Sequence, residues 1–111
     1  MSEGDRHAPS SPDGAYRELQ RGYLEEVPKA FAELRALLES LRRGDPVLPA
    51  LKIGFHRLAG SGGSYGFPEI SQIARAAEQL ASAESSPDQA AGLEEAVRQL
   101  EVVRARLATG P

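Results

Sequence analysis

The chemistry in this sequence converges on one imidazole. His56 lies in the segment FHRLAGSGGSYGF, and five of the chain's eleven glycines fall between residues 54 and 66. The other histidine, His7, sits in the stretch MSEGDRHAPSSPDG, where nothing would orient it. There is no cysteine, so disulfides and thiolate metal sites are excluded, and two histidines are too few for a multi-histidine metal centre. A Ser-His-Asp relay needs a nucleophile and an orienting carboxylate. Ser61 and Ser64 are near His56 in sequence, but no Asp or Glu falls within the motif to hold the ring. The imidazole itself remains. A neutral ring nitrogen is a nucleophile, and an ordinary imidazole pKa of about 6.5 leaves much of it neutral at cellular pH. It can take a phosphoryl group from an acyl phosphate and hand it on, a transfer that needs in-line placement and charge neutralisation rather than a deep pocket. Lys52, one turn before His56, and the adjacent Arg57 are candidate neutralising cations.

The elements that must position this residue read as helices. From Ala15, apolar residues at Tyr16, Leu19, Tyr23, Val27, Phe31, Leu34, Leu38 and Leu41 recur at three- and four-residue steps. Pro28 should kink or divide this helix near Val27, but the apolar phase continues across it, so the parts stay roughly collinear. Arg42, Arg43 and Gly44 end it. Asp45-Pro46 reads as the cap and first position of a second helix, with Pro49 blurring its start. Leu48, Leu51, Phe55, Leu58 and Gly62 form that helix's inner sector. Pro68 and Glu69 open a third helix with the stripe Ile70, Ile73, Ala77 and Leu80. Ser86 with Gln89 reads as a capping box before a last helix carrying Leu93, Val97, Leu100, Val103 or Arg104, and Leu107. No segment alternates as a strand does. Four apolar stripes with short connections predict an all-α fold, an antiparallel four-helix bundle with an N-terminal helical extension or kink at Pro28.

On the second helix, His56 points roughly 130° from the centre of the inner sector, at about 100° per residue. It therefore belongs on the surface, with Lys52, Ala59, Gly60 and Gly63 as its helical neighbours. A solvated helix face is usually covered by long charged side chains, and each interior glycine costs about 1 kcal/mol relative to alanine. A breach of local helix rules around a protruding histidine marks a functional face, open to close approach by another protein.

Composition sets the outer bounds. With 111 residues, the chain holds one small domain, read as 15–111 behind a tail over 1–14 that is rich in Ser, Pro, Gly and Asp. The formal net charge of −3 argues against charge-driven binding to nucleic acid or to a membrane surface. No apolar run approaches the roughly 20 residues that span a bilayer, and no signal-peptide pattern follows Met1, so the expected compartment is the cytoplasm.

The segment FHRLAGSGGSYGFPEISQIARAAEQL, Phe55 to Leu80, resembles the histidine phosphotransfer (HPt) domain family. In that pattern an acceptor histidine is followed by Leu, a small residue or Lys, Gly, further small residues, then an aromatic or aliphatic residue and Gly. Here these are His56, Leu58, Ala59, Gly60, Ser61, Gly62, Gly63, Tyr65 and Gly66. The upstream GYLEEVPKAFAELRALLESLRRGD is similar to the family's helix with an internal proline, and the likeness extends over about residues 15–108. The resemblance implies a four-helix bundle and a phosphoprotein of two-component signal transduction. His56 would be phosphorylated on a ring nitrogen within a phosphorelay. Donor and acceptor would be aspartates in receiver domains of response regulators and/or a hybrid histidine kinase. The receiver would bring the Mg²⁺, so the carrier itself needs no cofactor or metal and works as a monomer. No ATP-binding domain fits in this length, so the chain has no kinase activity of its own. Many members carry Lys three residues after the histidine, where this chain has Ala59; Lys52, Arg57 or the partner would then supply the charge. Two other readings compete: a helical docking module of the same shape that is never phosphorylated, and a small hydrolase using His56 as base, which requires an orienting carboxylate.

Overall fold

The computed structural model describes residues 12–110. Four helices follow one another, α1 (Pro12–Arg42), α2 (Leu48–Ser64), α3 (Pro68–Ser82) and α4 (Gln89–Ala108). There is no strand among the described residues. Helix α1 packs on α2 and α4, and α3 packs on the same two, which closes an antiparallel four-helix bundle. None of its helices is long and apolar enough to cross a membrane. The tail read over 1–14 is helical at 12–14, because α1 starts at Pro12. The rest of that tail, His7 included, lies outside the described residues.

Helix α1 runs unbroken through Pro28. A proline has no N–H, so the carbonyl of Leu24, four residues earlier, loses its helical donor. Arg104 of α4 replaces it, donating from Nε to the Leu24 carbonyl at 2.7 Å. The expected collinearity is met, and no division occurs at Val27. Leu24, Val27, Phe31, Leu34 and Leu38 are buried, while Tyr16 and Leu19 are exposed. The cause is length. At 1.5 Å per residue α1 spans roughly 46 Å against roughly 26 Å for α2, so the first turns of α1 outrun the core.

Two helix starts differ from expectation. Helix α2 opens at Leu48 with Pro49 in its first turn, not at Asp45-Pro46. Asp45 is engaged in closing α1: Gly44 takes φ +92°, and the Asp45 N–H reaches back to the Ser40 carbonyl at 3.0 Å. The capping box at Ser86 and Gln89 does not form, and Asp88 precedes α4 without a side-chain cap. The Gln89 side chain is instead buried, and its Nε2 donates to the carbonyls of Leu80 and Ala83, which ties down the end of α3.

The inner face of α3 also differs. Ile70, Ser71, Ala74, Ala77 and Ala81 are buried there, whereas Ile73 and Leu80 are half-buried. This face is made of small residues because α2 lies close against it. A Cβ added at Gly62 would stand 2.9 Å from Ile70 Cγ2 and 3.0 Å from the Ser71 backbone nitrogen.

Candidate functional site

Leu51, Phe55, Leu58 and Gly62 of α2 are buried in the core, as their spacing requires. That rotation turns His56 outward, and its side chain is 73% exposed. Lys52, Arg57, Gly60 and Gly63 are exposed beside it. Ala59 is not part of that open surface. It is buried, 5% exposed, because α3 covers it.

The glycines divide by task. Gly54 and Gly62 admit neighbouring helices, since a Cβ at Gly54 would meet Leu34 Cδ2 at 2.9 Å and one at Gly62 would meet Ile70. Gly66 takes φ +81° in the corner between α2 and α3, and a Cβ there would overlap the Tyr16 hydroxyl. Only two keep the surface beside the histidine low: Gly60, with nothing within 4 Å of an added Cβ, and Gly63, where Ser71 Oγ lies at an ordinary 3.6 Å. The clearing around His56 is thus narrower than the glycine count implies, and packing accounts for the rest.

His56 has a partner that no local motif shows. Its Nδ1 lies 3.0 Å from Oε2 of Glu78, on α3. An ionised carboxylate only accepts hydrogen bonds, so with a neutral ring this contact puts the proton on Nδ1 and leaves the lone pair on Nε2 of the exposed side chain. The signal for Glu78 was present in the numbering: His56 and Glu78 are each eleven residues from Phe67, where the α2–α3 hairpin turns back on itself. Reading only within the motif missed it.

A polar strip on α3 continues from this contact. Ser71 donates from Oγ to the Ala59 carbonyl at 2.7 Å, and Arg75 donates from Nη2 to Ser71 Oγ at 3.4 Å. At the far end of α2 an aromatic clamp fixes the corner. Tyr65 stacks on Tyr23 with ring centroids 4.7 Å apart, and Phe67 stacks on the same ring at 5.8 Å. The Tyr23 hydroxyl and Ser61 Oγ share a hydrogen bond of 2.9 Å, and Gln20 donates to the Tyr65 carbonyl. Burial pushes the Tyr23 phenol above its ordinary pKa, and the Ser61 bond draws it partly back. Tyr23, Tyr65 and Phe67 therefore brace the end of the histidine helix.

Chemically, the arrangement is an accessible nucleophilic nitrogen held in one tautomer. Glu78 also supplies the orienting carboxylate that a hydrolytic relay would need. The relay stops there: Ser61 is turned toward α1, with its Oγ engaged by Tyr23 and by the Leu58 carbonyl. The described residues hold no cluster of His, Cys, Asp or Glu able to bind a metal ion.

Comparison with known proteins gives one match. The model of one family, described as the Hpt domain, matches residues 18–107. No curated protein and no solved structure matches the chain.

Proposed function

The chain belongs to the Hpt domain family, whose members serve histidine phosphotransfer in phosphorelays, and from that membership we propose that it is a phosphocarrier with His56 as the acceptor. The supporting observation is the exposed ring whose Nδ1 is held by Glu78 at 3.0 Å, with Nε2 open. The Nε2 lone pair attacks the phosphorus of a receiver's aspartyl phosphate. The N–P bond forms as the acyl P–O bond breaks, and that electron pair returns to the aspartate carboxylate. Positive charge that develops on the imidazole is offset by the Glu78 carboxylate through Nδ1–H. The reverse step delivers the group to the aspartate of a second receiver. The receiver brings the aspartate, the Mg²⁺ and the in-line geometry, so the carrier contributes a positioned nitrogen and a surface low enough to approach. In this reading it acts as a monomer in the cytoplasm. Lys52 and Arg57 lie close enough in sequence to add positive potential, and Gly60 and Gly63 give the partner room.

The test is to mix the protein with phosphorylated receivers and score acid-labile phosphate. His56→Gln stays folded, because the residue is exposed, and takes up none. Uptake by the variant equal to wild type would overturn the assignment, and no uptake by the wild type would favour a docking module that is not phosphorylated.

A further inference from the structure

Five of the ten arginines among the described residues have a carboxylate: Arg35, Arg42, Arg98 and Arg106 each pair with a glutamate, and Arg43 lies near Asp45. The arginines near His56 fall in the other half, with Arg17, Arg21 and Arg104, the last of which donates to the Leu24 carbonyl instead. Among the described residues no acid lies within ion-pair distance of Lys52, Arg57 or Arg75. Arg57 faces the other flank of α2, where it lines a groove with Ala30, Glu33, Leu34 and Ile53. Lys52 is exposed one turn before His56 on α2 and carries a point-charge ammonium rather than a planar fork.

Arg75 lies across the seam. It is one turn before Glu78 and one turn after Ser71 on the same strip of α3. Counted from the turn at Phe67, it stands opposite Ala59, about one helical turn along α2 from His56. Its contact with Ser71 Oγ is 3.4 Å, long for a hydrogen bond, and that hydroxyl already gives its proton to the Ala59 carbonyl. The guanidinium is thus weakly tethered to Ser71, whose Oγ lies 3.6 Å from where a Cβ at Gly63 would stand.

A phosphoryl group on Nε2 brings a charge of about −1.5 to −2, the value for other phosphorylated side chains. It arrives on a ring whose other nitrogen is already bonded to the Glu78 carboxylate. Like charges so close require a cation. Resting on the phosphocarrier reading above, we propose that Arg75 is that cation: its guanidinium leaves Ser71 and takes the phosphoryl oxygens of phosphorylated His56. A planar guanidinium can bind two of these oxygens at once, which an ammonium cannot. The low surface at Gly60 and Gly63 then serves the chain's own arginine as well as the partner.

The experiment loads the whole chain with phosphoramidate, a small donor that needs no receiver. Its P–N bond breaks, ammonia leaves, and the N–P bond forms at His56. Wild type, Arg75→Gln, Arg75→Lys and Arg98→Gln are compared for uptake rate, and the arginine Nε signals are followed by NMR before and after loading. The expected result is a drop of about tenfold in Arg75→Gln, the scale of one charge-assisted hydrogen bond. Arg75→Lys recovers part of it, Arg98→Gln on α4 stays near wild type, and the Arg75 Nε signal of wild type shifts on loading. A purely structural role for Arg75 would not move that signal. Wild-type uptake in Arg75→Gln, with an unshifted Arg75 signal, overturns the role of Arg75 and leaves the phosphocarrier reading standing. Failure of wild type itself to load overturns both.

Discussion

Along the seam between α1 and α4, charges close on one another. Arg35 clasps Glu101 through Nε and Nη2 at 2.7 and 2.6 Å, and Arg42 clasps Glu94 in the same two-pronged way. The guanidinium groups hold both carboxyls below their usual range. The seam between α2 and α3 is built the other way. Gly62, Ala59, Ser71 and Ala74 bring two backbones together, and its rim carries one His–Glu pair and Arg75, which has no carboxylate within ion-pair distance among the described residues. Around Arg35 and Arg42 the first seam satisfies its charges internally, as a structural edge does, although Arg17 and Arg21 at its other end have no carboxylate within ion-pair distance among the described residues. The second keeps a cation without a carboxylate near an exposed histidine, as a site that receives an anion from outside would.

The strongest way to break this contrast is to fill the close seam. Gly62→Leu must push apart Ile70 and the Ser71 backbone, which already stand 2.9 and 3.0 Å from where a Cβ would go. Overpacking against backbone should cost about 3 kcal/mol in urea unfolding. Gly60→Leu is the control, since nothing lies within 4 Å there. It should leave stability unchanged or slightly raised, and should slow transfer from a receiver by blocking approach. Equal destabilisation by both substitutions would mean that the two glycines do the same work, and the division drawn between them would fail.

A smaller effect sharpens the chemistry of the open seam. Glu78→Ala removes the acceptor that holds Nδ1 at 3.0 Å, so the ring loses its fixed tautomer and phosphoryl uptake should fall by about tenfold or more. Glu78→Gln can still accept from Nδ1–H through its amide oxygen but carries no charge, so its rate should lie between wild type and Glu78→Ala. Both rates are read in the phosphoramidate assay with the fold checked by circular dichroism. Wild-type rates in both variants would show that the pair plays no part in transfer.

These seams were not equally legible in the sequence. Periodicity located four helices, the buried faces of α1 and α2 and the outward turn of His56, because each depends on residues within one element. It missed what depends on two. Ser71 and Ala74 face inward only because Gly62 lets α3 approach. Ala59 reads as surface on its own helix and is covered by the next one. Glu78 meets His56 only once the hairpin registers about Phe67. Gln89 fits a capping box by spacing, yet its amide satisfies the end of the preceding helix. Pro28 predicts a break that Arg104, some eighty residues later, repairs with one hydrogen bond. The candidate acceptor was legible because histidine is scarce here; Glu78 and Arg75 were not, because they lie on another helix.

The weakest effect belongs to the closed seam. Arg35→Ala removes the clasp on Glu101, whose partners are both well exposed, with side chains 46% and 38% accessible. Pairs of that exposure are worth little, so the loss at neutral pH should be about 0.5 kcal/mol and should shrink as salt is added. Its pH dependence has a definite sign. Arg35 lowers the Glu101 pKa from 4.5 in the folded state, chiefly through the hydrogen bond, so the stabilisation is present above that value and is lost as pH falls through the lowered one. Wild type and Arg35→Ala should therefore differ slightly at pH 7 and converge in acid. Phosphoryl uptake should be unchanged throughout, because this seam holds no part of the site. A larger stability loss than Gly62→Leu, or any fall in uptake, would show that the closed charges govern the open ones and that the two seams are one system.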